Sequence, residues 1–143
     1  MWLTKLVLVS TLALSALSWG PAPSSVDARD GAIVSLVETE ATPSNVEQRH
    51  VLTIGTTFSN NGGRLDGLSV EIDVRAADGT SVLHEKQTGL RVSAGDERSV
   101  YWEWRIPQRV SAGSYVVGVD VLDNDGQHVL ASDPEAASFF VTQ

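Results

Sequence analysis

"SVYWEWRIPQ", residues 99–108, sets two tryptophans, Trp102 and Trp104, one residue apart. The other two tryptophans, Trp2 and Trp19, fall near the N-terminus. A pair with this spacing has two readings. On an open sheet the indoles form a platform for a sugar ring; in a small sandwich they fill the core. Alternation decides between them, because successive side chains of a strand point to opposite faces. Arg98, Val100, Trp102, Trp104 and Ile106 share one face, and Ser99, Tyr101, Glu103 and Arg105 share the other. The first row is apolar after its opening arginine, whereas the second is polar apart from Tyr101. A half-buried antiparallel strand shows that contrast. Trp102 and Trp104 are therefore predicted to lie in the core, each burying about 200 Å². Tyr101 is the aromatic residue expected to look outward.

The same period of two runs through the chain on either side. In "HVLTIGTTFSN" Leu52, Ile54, Thr56 and Phe58 share a face. In "LSVEIDVRA" Leu68, Val70, Ile72 and Val74 point inward and Ser69, Glu71, Asp73 and Arg75 outward. "AIVSLVETEA", "SVLHEKQ", "SYVVGVDVL", "QHVLAS" and "AASFFVTQ" read as further strands. Between them stand "NNGGRLDG", "ADGT", "VSAGDE" and "DNDG", rich in the residues that turns require. No amphipathic helix is predicted after the leader. Strands spaced by turn signals every 8–12 residues predict an all-β, immunoglobulin-like or fibronectin-type antiparallel β-sandwich of 7–8 strands.

The N-terminus reads differently. "MWLTKLVLVSTLALSALSWG" has Lys5 and then an apolar run from Leu6 to about Leu17, the pattern of a secretory signal. That run is short for a bilayer span. Cleavage fits after Ser18, with Ala16 and Ser18 as the small residues, or after Ala28, with Val26 and Ala28, the latter preferred. The alternative is an uncleaved N-terminal anchor, and the Pro/Ser-rich "PAPSSVDARD" suits a spacer. Residues 1–28 are thus expected to be leader and short spacer, and residues 29–143 the sandwich. The location implied is secreted, extracellular or periplasmic, with no membrane insertion once the leader is gone.

Composition narrows the function. The net charge of −8 repels phosphate backbones, so a nucleic-acid partner is not expected. The absence of cysteine removes disulfides, thiolate metal sites and thiol nucleophiles. Stability must then come from the core, and the 115 residues left after subtracting 28 from 143 suffice for one. His50, His84 and His128 have no metal-ligand partner at helical or strand spacing and read as surface residues. No nucleophile elbow and no phosphate-binding glycine loop occurs. Asp123, Asn124 and Asp125 form an oxygen-rich turn, the one candidate for Ca²⁺. It lacks the acids of an EF-hand, and a tight turn explains the same residues. No other cofactor is expected.

Several pieces resemble the immunoglobulin-like modules of bacterial exported proteins. These are the CARDB type and the accessory sandwich modules of secreted glycoside hydrolases. The matching residues are Asn60–Gly63, Ala94-Gly95-Asp96, Trp102-Glu103-Trp104 and Gly113-Ser114-Tyr115. The resemblance spans about Ile33 to Val141 and implies a non-catalytic module, with Trp102, Trp104, Tyr115 and Phe58 as core. The expected role is binding or adhesion, with polysaccharide or another exported protein as ligand. The ligand-binding candidates are outward residues: Tyr101, Glu71, Asp73 and Asp120. The face holding Val116, Gly118, Asp120 and Leu122 should neighbour Glu71, Asp73 and Arg75. The alternative is an envelope assembly or inhibitor protein, acting through the Asn60–Gly67 loop or the strand Ser138–Val141.

Overall fold

A computed structural model describes residues 34–143 together with a two-residue strand at Ser24–Ser25. The leader run and both cleavage positions, Ser18 and Ala28, lie outside the described residues. In chain order the strands are β1 (Ser24–Ser25), β2 (Val34–Thr42), β3 (Asn45–Glu47), β4 (Val51–Asn60), β5 (Leu65–Ala76), β6 (Ser81–Val92), β7 (Glu97–Arg105), β8 (Gly113–Leu122) and β9 (Val129–Thr142). No described segment is helical, so none is a helix long and apolar enough to cross a membrane.

The strands form two sheets. One is antiparallel in the order β2-β4-β7. The other runs β6-β5-β8-β9, antiparallel throughout, and β1 and β3 flank the outer side of β9. The chain is thus an all-β sandwich of seven long strands and two short ones, immunoglobulin-like in its layering. The inward rows fill the space between the layers. Leu52, Ile54 and Phe58 of β4 and Leu68, Val70, Ile72 and Val74 of β5 are fully buried. Val100 and Trp102 of β7, Tyr115, Val117, Val119 and Val121 of β8, and Phe139 and Val141 of β9 close the core. Burying each such aliphatic or aromatic side chain stabilises the fold by about 1.5–3 kcal/mol.

Three departures from simple alternation have a common cause in bulges. β2 slips between Leu36 and Glu38, so Val37 is the unpaired residue and is 52% exposed. "SVLHEKQ" continues through Gly89 to Val92, because Gly67 and Gly89 take left-handed φ of 76° and 69° and the β5–β6 ladder re-forms beyond them. "QHVLAS" and "AASFFVTQ" are one strand, β9. Asp133 pairs with Val119 and Ala137 with Val117, so residues 134–136 oppose Gly118 alone. Pro134 has no N–H to give a ladder and is accommodated in this bulge. At a second slip, between Val121 and Leu122, Leu122 keeps the outer side beside Ser69, where both are buried.

Two of the motifs carrying the family resemblance meet at Asn60, which is fully buried. Its Nδ2 donates to Gly63 O at 2.6 Å and to Ser93 O at 3.4 Å, and its Oδ1 accepts from Gly62 N at 3.0 Å. Its backbone N donates to Asp96 O, and its backbone O accepts from Gly95 N. The Asn-rich loop and the turn before β7 are therefore one hydrogen-bonded unit. A third motif places Tyr115 at the start of β8. Its hydroxyl donates to Ser111 O at 2.7 Å and its ring stacks on Phe139, centroids 5.5 Å apart. This is the tyrosine corner of immunoglobulin-like sandwiches.

Candidate functional site

The pairing of β5 with β8 gathers three of the outward residues. Glu71 stands opposite Asp120, Asp73 opposite Gly118 and Arg75 opposite Val116. On the next strands Lys86 and His84 of β6 extend these rows, and Ser132 of β9 faces Asp120. Gly118 has no side chain, and the β9 bulge lifts Pro134 beside it. The result is a hollow of about 180 Å³ on the outer face of the four-stranded sheet, lined by Glu71, Asp73, Arg75, His84, Asp120 and Ser132. A Cβ on Gly118 would stand 3.3 Å from Pro134 O.

The charges of the hollow are unevenly matched. Lys86 Nζ pairs with Glu71 at 2.8 Å. Arg75 Nη2 donates to Pro134 O at 2.7 Å, fastening β5 to the bulge. Asp73 accepts from the Ser81 hydroxyl. Asp120 accepts the Ser132 hydroxyl and pairs with no cation among the described residues. Arg75 Nε lies 3.5 Å from Asp73, close enough for attraction but not directed for a hydrogen bond, and it is shielded from water with no acceptor. The hollow thus holds an unneutralised acceptor, to which a hydroxyl can donate.

Tyr101 stands elsewhere, on the outer face of the three-stranded sheet and 59% exposed. It sits opposite Gly55, which is opposite Glu40. The ring lies over the glycine so closely that a Cβ there would come within 2.8 Å of a ring carbon. On the inner side of the same strand, Trp102 is 9% exposed. Trp104 is half-buried and meets Phe139 edge-on, centroids 6.4 Å apart. Both indoles pack against the core cluster, and neither offers an open platform. Trp102 Nε1 is buried without a partner. Glu71, Asp73 and Asp120 therefore form one cluster, and Tyr101 belongs to the opposite face of the sandwich.

The oxygen-rich turn between β8 and β9 uses its oxygens on its own backbone. Asp123 Oδ1 accepts from Asn124 N at 2.7 Å, and Asp125 Oδ1 accepts from Gln127 N and His128 N at 2.9 and 3.0 Å. Asp125 also contacts the His128 ring. These bonds, the Gln127 amide foremost, hold the Asp125 carboxyl down at about 2. Among the described residues no group of three or more His, Asp or Glu side chains converges as a metal site. His50 is exposed and 3.6 Å from Glu47, while His84 lies on the rim of the hollow.

The segment Ser138–Val141 is not a free edge, because β8 pairs with all of it and β3 covers Phe140 and Val141 from the other side. The Asn60–Gly67 loop is pinned by Asn60 and passes into β5. Among the described residues the strands with an unpaired edge include β6, β7 and β2. β6 carries Glu85 and Lys86 there, and its Gln87 Nε2 caps Tyr101 O of β7 at 2.9 Å. Charged side chains and capped carbonyls guard edges against strand addition.

Comparison with known proteins places the fold without naming a family. No family model matches the sequence, and no curated protein matches it. Among solved structures, the C-terminal domain of Wzt superposes with a TM-score of 0.65 at 12% identity, over 87% of this chain and 80% of that one. A family 123 glycoside hydrolase from Clostridium perfringens contains a region with TM-score 0.50 at 13% identity, covering 69% of this chain and 22% of that one. A CARDB domain from Pyrococcus furiosus gives 0.48 at 18% identity, over 76% of this chain and 92% of that one. At these identities the likeness is one of fold. The hollow, bounded by the β9 bulge, was invisible in the sequence. Its one trace there is Gly118, set between Val117 and Val119.

Proposed function

We propose that the chain is an exported, non-catalytic binding module whose ligand is a polysaccharide, taken on the outer face of the four-stranded sheet. One observation carries this reading: the hollow over Gly118 holds Asp120 without a cation among the described residues. Sugar hydroxyls supply donors for its remaining lone pairs. The carboxylates are laid out for recognition rather than hydrolysis. Glu71 is tied to Lys86 and Asp73 to Ser81 on an open sheet face. A glycosidase needs one desolvated acid facing a second carboxylate across its substrate. Export rests on the apolar leader, and the acidic net charge disfavours anionic partners.

The test is calorimetric titration of the mature protein against neutral bacterial and plant polysaccharides, with the variants Asp120→Ala and Tyr101→Ala. We expect one polysaccharide class to bind, with affinity lowered tenfold or more in Asp120→Ala and unchanged in Tyr101→Ala. Binding lost only in Tyr101→Ala would move the site to the other sheet. No binding to any polysaccharide would end the reading.

A further inference from the structure

A second concavity lies not on a sheet face but at one end of the sandwich. It is a groove of about 630 Å³ between the β5–β6 turn and the loop that leads from β7 into β8. The hollow over Gly118 is under a third of that size. Small-ligand clefts fall in the range of about 300–1,000 Å³, so the groove has room for sugar rings where the hollow has room for single hydroxyls.

Both walls are held in place without a ligand. In the turn, Ala76 N donates to Thr80 O, Gly79 N to Ala76 O, and Thr80 N to the Asp78 carboxylate at 2.9 Å. Gly79 supplies the left-handed φ of 86° that this turn requires. On the facing wall, Val110 N donates to Pro107 O, Gln48 Nε2 donates to Val110 O at 2.7 Å, and the Tyr115 hydroxyl fastens Ser111 O. Walls fixed in advance cost little ordering entropy when a ligand enters.

The lining chemistry selects the ligand. Ala76 and Ala112 present methyl groups, and Thr80 and Ser111 present hydroxyls. Asp78 stands on one wall and Arg109 on the other, and neither forms an ion pair among the described residues. The Thr80 amide lowers the Asp78 carboxyl below its ordinary range, which keeps it an acceptor. A polyanion would meet Asp78 and the net charge of −8. A polycation would meet Arg109. An apolar ligand would take Arg109 and the hydroxyls out of water with nothing in return. A neutral oligosaccharide satisfies each group: its C–H faces rest on the methyls, and its hydroxyls donate to Asp78 and accept from Arg109.

We infer that this end groove is a second binding site, for a neutral oligosaccharide. It shares a ligand class with the proposed function but none of its residues.

The experiment is an amide ¹⁵N–¹H NMR titration of the mature chain with maltotriose, cellotriose and chitotriose, and with trigalacturonate as the anionic control. The variants are Ala112→Trp, which fills the groove from an exposed position, Arg109→Ala, and Asp120→Asn on the sheet face. We expect one neutral trisaccharide to shift the amides of Thr80, Ser111 and Ala112. Its affinity should fall at least tenfold in Ala112→Trp and Arg109→Ala and stay unchanged in Asp120→Asn. Arg109→Ala carries the test alone if the tryptophan variant misfolds. Shifts confined to Gly118 and Asp120 would overturn the groove while supporting the sheet-face site. Shifts with trigalacturonate alone, or with none of the sugars, would overturn the groove outright.

Discussion

Each sheet of the sandwich has a glycine in the middle of its outer face, and the two are covered in opposite ways. Gly55 of the three-stranded sheet lies beneath the Tyr101 ring, which occupies the space a side chain would take. Gly118 of the four-stranded sheet faces Pro134 O and the tip of Arg75, and no ring closes over it. Neither glycine has a positive φ, so both are chosen for room and not for backbone conformation. An aromatic ring laid over a strand glycine restores the contacts the missing side chain would make. At Gly118 the Pro134 backbone and the Arg75 tip take that place, and polar groups gather at the rim of the hollow beside them. The difference separates a face finished by packing from a face left for a ligand.

The largest effect should distinguish the two sides of β7. Trp102→Ala should cost about 3–5 kcal/mol, as removing a buried aromatic does. Tyr101→Ala should cost under about 1 kcal/mol beyond the loss of its cover on Gly55, since surface substitutions are small. Urea unfolding of both variants measures this, and equal losses would break the contrast. Trp102→Phe also removes the unpartnered indole N–H, and should lose less than half as much as Trp102→Ala.

Next comes the joint between the sheets. Asn60→Ala leaves the Gly63 and Ser93 carbonyls and the Gly62 amide without their buried partner. The expected cost is about 1–3 kcal/mol. Hydrogen exchange should rise together in the 60–64 and 93–96 segments, and exchange rising in only one of them would separate the two motifs.

The glycines themselves come third. Gly118→Val pushes against a carbonyl held by Arg75 and should cost about 1–3 kcal/mol as an overpacked site. Saccharide binding at the sheet face should be lost with it. Gly55→Ala meets only a side chain that can swing into solvent, so its stability loss should be the smaller of the two. Acrylamide quenching of the tyrosine should rise. A Gly55 variant more damaging than the Gly118 one would invert the comparison.

The smallest effect is in acid. The Asp125 carboxyl titrates at about 2 in the fold, against an ordinary value near 3.8. A depressed folded value means that its contribution is present above about pH 4 and lost as pH falls toward 2. The β8–β9 turn should loosen over that window, seen as changed His128 and Gln127 amide shifts, and Asp125→Asn should abolish the dependence.

Much of the fold was legible because apolar alternation is a local signal. The inward rows of β4, β5 and β7 lie buried on the sides their period of two assigned to them. Alternation fails where a bulge changes phase, as at Val37 between Leu36 and Glu38 of β2. Gly67, Gly89 and Pro134 mark bulges only once the partner strand is known. Their residue types suit a turn equally well, so the sequence alone ends β6 early and divides β9 in two. The candidate residues divided in the same way. Glu71, Asp73 and Asp120 come together through the β5–β8 register, while Tyr101 is on the other side of the molecule. The groove joins residues 76–82 to 109–115 and had no signal in either segment alone.

The sequence by itself determined the all-β class, the side of β7 on which the tryptophans stand, and the turns at Gly79 and Gly126. Those follow from side-chain period and backbone freedom, which act within a few residues. The tertiary structure alone decided which strands are edges, how the bulges reset their neighbours, and where concavities remain. Those depend on register between segments distant in the chain, where a shift of one residue exchanges the two faces of a strand.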